Sequence, residues 1–113
     1  MQEKPTARFI ALEIAIAAIT ALRPVLEKIR VHDRDLFDQI RRAASSVALN
    51  LAESTGCRGG HRRMRHQTAA GSNAEVRAAL RVAVAWGYVT QDDTGPCDRL
   101  FDRVGALLHP LSR

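Results

Sequence analysis

The residues that decide the fold are Gln-Ile-Arg-Arg-Ala-Ala-Ser-Ser-Val-Ala-Leu-Asn-Leu-Ala-Glu, at positions 39–53. Their apolar side chains recur every three to four positions, which predicts a single helix with an apolar stripe. Two arginines, one asparagine and one glutamate border that stripe. Because a polar group at the edge of a buried face needs a hydrogen-bond partner, these residues should fix how the helix meets its neighbours.

The chain on either side of this segment also predicts helices, separated by residues that break them. It contains no alternating apolar–polar run and no Asn-Gly or Asp-Gly hairpin turn, so no strand is predicted. We expect helix one at residues 7–30, helix two from an N-cap at Asp35 to Gly56, helix three at 61–86 and helix four at 97–109. Gly87 should stop helix three, and residues 91–96 should form a loop. Four helices joined by short loops predict an all-α, up-and-down four-helix bundle.

The helical spacing also predicts which side chains face the core. Pro24 lies inside helix one and should kink it or divide it in two. The inward residues predicted for helix one are Phe9, Leu12, Ile16, Ile19, Leu22, Leu26 and Ile29. Those predicted for helix two are Leu36, Ile40, Ala43, Ala44, Val47 and Leu51. Those predicted for helices three and four are Val76, Ala79, Leu80, Ala83, Trp86, Leu100, Val104, Leu107 and Leu108.

Size and composition indicate one small globular domain over residues 1–113. Of the 113 residues, 46% are apolar and 26% are charged, a balance typical of folded domains. Alanine is abundant and aromatic side chains are scarce, so the domain should gain stability by forming oligomers. The net charge is +5, and nearly all of the 17 basic residues are arginine. Arginine suits phosphate contacts, although the same charge is compatible with an arginine-rich bacterial composition.

The apolar run at residues 9–22 raises the question of a signal peptide or a membrane span. Glu13 interrupts the run, Arg23 and Pro24 follow it, and no convincing small-residue cleavage site is present. The run is also shorter than the ~20 residues that a spanning helix needs. We therefore expect a core helix in a cytoplasmic protein that does not contact a membrane. Cys57 and Cys97 match no metal-binding spacing, and we expect both to be free thiols.

A helical wheel places several polar side chains near the predicted core. On helix three, Glu75 falls within the stripe that contains Ala79 and Trp86, and a carboxylate there needs a partner. Because helices two and three are neighbours, the arginines of helix two are natural partners. We predict a buried or interfacial polar network of Arg41, Arg42, Asn50, Glu53 and Glu75 that fixes helix register or subunit contacts. The alternative is that these groups all point to solvent.

The segment that follows helix two is strongly basic. No acidic residue occurs between Ser54 and Ala74. The candidate nucleic-acid-binding residues in it are Arg58, His61, Arg62, Arg63 and Arg65, with His66 close by. The start of a helix adds unpaired N–H groups and a positive dipole end, which favours contact with RNA or DNA phosphates. The alternatives are a solvated loop and a patch that meets acidic residues of another subunit.

No motif in the sequence predicts catalysis, a metal site or a cofactor. No glutamate has a histidine three residues later, as di-iron bundles require. His61 and His66 are five positions apart and do not share one helical face. Gly59-Gly60 lacks the Lys-Ser/Thr of a phosphate-binding P-loop. We therefore expect a protein that is not an enzyme and that binds neither a metal nor a cofactor.

Two blocks of the sequence resemble a known family. The first is residues 39–47 followed by Asn50-Leu51-Ala52-Glu53; the second is Ala69-Ala70-Gly71-Ser72 followed by Glu75-Val76, with Gly87-Tyr88 at the end of helix three. Together they resemble the four-helix bundle proteins encoded by intervening sequences in bacterial 23S ribosomal RNA genes. This resemblance covers roughly residues 36–89. It implies an up-and-down bundle that assembles as a ring-like homopentamer and has no established enzyme activity.

A related group that is similar in fold comprises accessory proteins of diversity-generating retroelements, which associate with a reverse transcriptase and its RNA. By this analogy the expected partners are other copies of the chain, RNA or DNA, and a reverse transcriptase or other protein. We expect a non-enzymatic accessory or binding protein that contacts RNA or DNA through the basic loop. The alternative is an oligomeric protein–protein interaction scaffold that does not bind nucleic acid.

Overall fold

Four helices make up the part of the chain that the computed structural model describes, residues 6–113. They are α1 (Ala7–Arg30), α2 (Arg34–Ser54), α3 (Gly59–Ala85) and α4 (Gln91–Leu111). No strand occurs within residues 6–113, so the predicted all-α class is confirmed. Helix α1 packs against α2 and α4, and α3 packs against the same two helices. Consequently α1 and α3 lie at opposite corners, and their outer faces point away from each other.

The N-terminus of α2 is capped by Asp33 and not, as predicted, by Asp35. The Asp33 carboxylate accepts a hydrogen bond from the backbone N of Leu36 at 2.9 Å. Its other oxygen accepts one from the Tyr88 hydroxyl at 3.2 Å. Asp35 lies in the first turn, where its charge still favours the positive end of the helix dipole. The cap therefore also connects α2 to the end of α3.

The prediction for α4 was wrong at its start, because residues 91–96 are the first turns of the helix and not a loop. Thr90 and Asp93 form a capping box, in which each side chain accepts a hydrogen bond from the backbone N of the other. Lys28 on α1 donates to the Asp93 carboxylate at 2.9 Å and, with the Thr90 backbone, holds the pKa of that carboxyl below its ordinary value. These contacts outweigh the helix-breaking tendency of Gly95 and Pro96.

The predicted division of α1 at Pro24 is also wrong, because α1 is one helix from Ala7 to Arg30. Pro24 lies on the exposed side of the helix. Thr20, whose carbonyl cannot accept a hydrogen bond from Pro24, is also an exposed residue on that side. The helix therefore continues past the proline. Gly87 stops α3 as predicted and adopts a left-handed φ of 79°, which favours glycine.

The core contains the predicted stripe of α2, but its α1 side differs from the prediction. Leu36, Ile40, Val47 and the other predicted α2 residues are all buried. On α1 the fully buried residues include three alanines, at positions 11, 15 and 18. Phe9 and Ile16, which were predicted to face inward, are 52% and 48% exposed. The small side chains let the first half of α1 approach its neighbours closely, whereas Leu22, Val25 and Ile29 fill the core along its second half.

On α3 four of the five residues predicted to face inward are buried, and the buried stripe continues toward the N-terminus of the helix through residues that were not predicted. The buried residues of α3 are His66, Ala69, Asn73, Val76, Ala79, Leu80 and Ala83. Trp86, which was predicted to face inward, is 68% exposed. The prediction was wrong at Trp86 because α3 also has apolar side chains on its exposed side, and it missed His66 and Asn73 because they are polar.

Helix α1 is long and apolar enough to cross a membrane when judged by length and composition alone, with a mean hydropathy of 2.0 over 18 residues. This finding corrects the argument that the segment is too short. A core helix passes the same test, and α1 packs against both α2 and α4. That packing accounts for the apolar inner side of α1, but not for its exposed Phe9 and Ile16.

The two buried polar residues of α3 hold α4 in place. Asn73 donates from Nδ2 to the Phe101 carbonyl at 2.9 Å, and Gly105 makes room for it, since a Cβ there would lie 3.1 Å from that nitrogen. His66, which is 3% exposed, places Nδ1 at 3.2 Å from the Leu111 carbonyl. A carbonyl only accepts, so Nδ1 carries the proton. Its Nε2 is then the unprotonated nitrogen, and it is buried with no hydrogen-bond partner among residues 6–113.

We expect the protein to lose stability as the pH falls below 6.5, the ordinary pKa of histidine. Burial, with nearby Arg8 and Arg62, lowers the pKa of His66 in the folded protein despite its hydrogen bond to Leu111. The unfolded chain therefore binds the proton more readily, and the free energy of unfolding decreases from pH 6.5 down through the folded-state pKa. Urea denaturation across this range should show a decrease that His66→Gln largely removes. The matched control His61→Gln, at an exposed histidine, should retain it.

Candidate nucleic-acid interface

A polar groove runs along α2 where it meets the first half of α3. Its volume is about 470 Å³, and it is open along one side to solvent. The lining residues are Arg41, Arg42, Ser45, Ser46, Leu49, Asn50, Glu53 and Arg65. Three arginines against one glutamate make the groove positive. The stretch that decides the fold therefore also supplies nearly all of this surface.

A chain of hydrogen bonds across the groove connects α2 to α3. The hydroxyls of Ser46 and Ser72 lie 2.8 Å apart, and Asn50 Nδ2 donates to Ser46 Oγ at 3.0 Å. Arg65 donates to Asn50 Oδ1 at 3.2 Å and forms an ion pair with Glu53 at 2.9 Å. Asn50 is only 9% exposed, so its amide is largely withdrawn from water and depends on these partners.

This arrangement matches the predicted polar network in part. Asn50 and Glu53 belong to it, while Arg41 and Arg42 line the same groove without joining the hydrogen-bonded chain. Glu75, which was predicted to face the interior, is exposed, and no ion pair among residues 6–113 joins it to Arg41 or Arg42. The partner of the network on α3 is Arg65, which the sequence had suggested only as a phosphate contact.

The five candidate basic residues do not form one patch, because successive side chains on a helix point in different directions. Arg62 turns back, and its Nε donates to the carbonyls of Cys57 at 2.9 Å and Ser54 at 3.2 Å. It therefore holds the loop and the end of α2. Arg65 points toward α2, and Arg63, two residues earlier, projects to another side of α3. Arg58 and His61 remain exposed on the loop side.

A second cleft joins the loop to the groove. Its volume is about 440 Å³, and its lining residues are Gly56, Cys57, Arg58, His61, Met64, Arg65 and Thr68. Arg65 lines both clefts, so they form one continuous surface that we call the arginine groove: Arg41, Arg42, Arg58, His61 and Arg65. Arg58 caps α3 without a side-chain hydrogen bond, which leaves the first N–H groups of that helix open to an anion.

Several other groups near the loop are not part of this surface. His66 is buried against α4. Cys57 and Cys97 are both free, as predicted, and burial raises the pKa of the Cys97 thiol to about 11, so it is not a nucleophile at neutral pH. Within residues 6–113, no three His, Cys, Asp or Glu side chains are placed to hold a metal ion.

The packed helices and the groove define an all-α protein of four helices with a positive surface along its second helix. A family model described as 23S rRNA-intervening sequence protein matches residues 10–110. The chain therefore belongs to the family of 23S rRNA-intervening sequence proteins, as its two sequence blocks suggested. Comparisons with curated proteins and with solved structures gave no match.

Replacing Asn50 with alanine should lower the free energy of unfolding by about 1–2 kcal/mol, because it removes a largely buried amide and its hydrogen bonds to Ser46 and Arg65. Chemical denaturation of Asn50→Ala measures this. The matched control is Gln39→Ala, at an exposed position on the same helix, which should change stability by less than ~0.5 kcal/mol. Equal effects of the two changes would show that the network contributes nothing.

Proposed function

We propose that the protein is a non-enzymatic accessory protein that binds RNA or DNA through the arginine groove. The observation that carries this proposal is the convergence of Arg41, Arg42, Arg58 and Arg65 on one continuous surface that is opposed only by Glu53. Arginine forks pair with phosphate oxygens in two places at once, and the open start of α3 adds backbone donors. The ion pair of Arg65 with Glu53 is half exposed and therefore weak, so a phosphate can replace the carboxylate.

The proposed binding is largely independent of base sequence. The residues that line the two clefts include no Phe, Tyr or Trp on which a base could stack. Phosphate contacts position a nucleic acid without reading it. This supports a role inside a larger ribonucleoprotein, where another component, such as a reverse transcriptase, supplies specificity.

We further propose that the four helices run up and down and that the chain assembles as a ring-like homopentamer in the cytoplasm. The packing of each helix against two neighbours supports the first point. Family membership and the small, alanine-rich core support the second, because a core of this kind gains much from further burial. A ring repeats the arginine groove, so weak phosphate contacts at each copy add up through avidity.

The second candidate function is a protein-interaction scaffold without nucleic-acid binding. Leu49 favours it, because this side chain is 60% exposed in the middle of the groove and offers nothing to a phosphate. A partner helix with an apolar residue flanked by acids would fit the same surface. Salt dependence separates the two candidates, since an apolar contact responds weakly to salt and phosphate contacts respond steeply.

Removing three groove arginines should weaken nucleic-acid binding and flatten its salt dependence. The test variant is Arg41→Ala/Arg42→Ala/Arg58→Ala, and the matched control of equal charge is Arg99→Ala/Arg103→Ala/Arg113→Ala, at exposed positions on and after α4. Fluorescence anisotropy with a random-sequence RNA duplex at several salt concentrations gives the slope of log K against log salt. Each lost phosphate contact should reduce that slope by about 0.9. If both variants lost the same affinity for the RNA duplex, the loss would follow from net charge alone, and the arginine groove would not be the binding surface.

The assembly is tested by the mass of the particle in solution. Sedimentation equilibrium of the full chain should give five times the chain mass of 12.4 kDa. A monomer, or a particle with an even number of subunits, would contradict the pentamer. It would not decide whether the protein binds nucleic acid, which the salt titration tests separately.

A further inference from the structure

Three aromatic rings form one stack at the end of the bundle where α1 leads into α2 and α3 leads into α4. The rings of His32 and Tyr88 lie at an interplanar angle of 4°, with centroids 5.2 Å apart. Trp86 stacks on Tyr88 with a centroid distance of 6.5 Å and an angle of 18°. Offset stacks at such separations are an arrangement that aromatic pairs favour. All three residues follow the end of a helix, and we call them the aromatic platform.

Side-chain and backbone contacts hold the platform in place. Tyr88 packs against the core, and its hydroxyl donates to the Asp33 carboxylate at 3.2 Å. The backbone N of Tyr88 donates to the Ala83 carbonyl at 3.0 Å, across the turn at Gly87. Trp86 is nevertheless 68% exposed. A large aromatic surface that is already fixed loses little conformational entropy when it meets a partner.

The fold does not use most of the apolar surface at this end. Trp86 is the only tryptophan of the chain, and most of it lies outside the core. Val31, next to His32 in sequence, is 76% exposed. Exposed apolar surface that is grouped in this way marks sites of interaction, and tryptophan and tyrosine contribute much of the binding energy at such sites.

The charge around the platform favours a cationic partner. The two turns with the adjoining helix ends, residues 27–38 and 82–94, contain six acidic residues and three basic ones, although the whole chain has a net charge of +5. The three basic residues are already in ion pairs, Lys28 with Asp93, Arg30 with Glu27 and Arg34 with Asp38. The remaining acids, which have no ion pair among residues 6–113, are Asp33, Asp35 and Asp92. This end therefore attracts a cation and repels a phosphate.

The rings favour the same partner. The face of an aromatic ring is negative and attracts a cation, most strongly in tryptophan, and the planar guanidinium of arginine also stacks on it. The same end of the bundle already shows one such contact, since the Arg34 guanidinium lies 5.4 Å from the centroid of the Phe37 ring. No cation of residues 6–113 lies over the Trp86 ring.

We propose that the aromatic platform binds an arginine-bearing segment of a partner protein. One guanidinium of the segment stacks on Trp86, and the exposed carboxylates of Asp35 and Asp92 attract the other basic residues of the segment. The platform shares no residue with the arginine groove, so the partner binds whether or not the groove holds a nucleic acid.

The fluorescence of Trp86 reports on the platform directly, because the chain has no other tryptophan. The probe is a blocked peptide of three Arg-Gly-Gly repeats, titrated into the full chain at low salt. It should change the Trp86 emission until the site is saturated and should protect the ring from quenching by acrylamide. A peptide of three Lys-Gly-Gly repeats has the same charge and should bind about fivefold more weakly, because lysine lacks the planar guanidinium. Equal affinity for the two peptides would show attraction by charge alone and overturn the proposal.

The anisotropy of a labelled arginine peptide measures binding to variants that lack the tryptophan. Trp86→Leu should weaken binding about fivefold. The matched control Phe9→Leu removes another exposed aromatic ring and should leave binding unchanged. Circular dichroism shows whether each variant keeps its helices. If Trp86→Leu binds the peptide as well as the natural sequence does, the platform is not the binding surface.

A second pair of variants tests the carboxylates. Asp35→Asn/Asp92→Asn should weaken binding of the arginine peptide about threefold, since it removes two exposed charges near the platform. The control Glu13→Gln/Glu75→Gln makes the same change of charge at exposed positions elsewhere and should have a smaller effect. Equal effects of the two variants would contradict the role of charge at this end.

Two further outcomes would assign the Trp86 ring to another occupant and overturn the proposal. If acrylamide fails to quench Trp86 in the natural sequence without peptide, another copy of the chain already covers the ring. If a single-stranded oligouridylate quenches Trp86 as strongly as the arginine peptide does, the platform stacks on nucleic-acid bases.

Discussion

The close approach of α1 to its neighbours through alanine is the constraint on which the rest of the structure depends. Ala11, Ala15 and Ala18 are fully buried, and side chains of that size bring helix axes near to one another. The same choice turns Phe9 and Ile16 outward and leaves a core of modest apolar area. A domain built in this way is marginal alone and has apolar surface still to cover. The small core and the exposed apolar side chains of α1 therefore have a common origin.

Polar contacts supply the geometry that such small side chains cannot. Small apolar residues slide past each other with little penalty, whereas the Asn50 amide and the Asn73 amide each reach one set of partners in one register. Asn50 ties α2 to α3, and Asn73 ties α3 to α4. Arg77 adds an ion pair with Asp98 and another with Asp102 between the same two helices. Asn50 and Arg65, whose hydrogen bond fixes how α2 and α3 align, also line the polar groove. The shape of the groove therefore follows from the alignment of the two helices.

Much of this architecture was predictable from the sequence. The helix count, the bounds of α1 and the buried stripe of α2 followed from periodicity, because a strong 3.6-residue pattern of large apolar side chains has one interpretation. The failures occurred where size and polarity disagree with burial. Alanines take the buried positions in the first half of α1, and the polar His66 and Asn73 lie inside while Trp86 lies outside. The start of α4 was missed because Gly95 and Pro96 were weighed more heavily than the Thr90–Asp93 capping box.

For the candidate site, the sequence indicated basic residues on α2 and at the start of α3 but not the partners of their side chains. Arg62 and Arg65 are three residues apart, yet Arg62 bonds to the loop and Arg65 to Glu53 in the groove. This difference depends on the direction of each side chain, which the sequence did not predict. The inward bond of Arg62 has a consequence of its own. By holding the carbonyls of Ser54 and Cys57, it fixes the turn between α2 and α3, which contains Gly56 and leads into Gly59 and Gly60 at the start of α3. A turn held in this way has little conformational entropy left to lose, so the proposed phosphate contact would not require the loop to become ordered first.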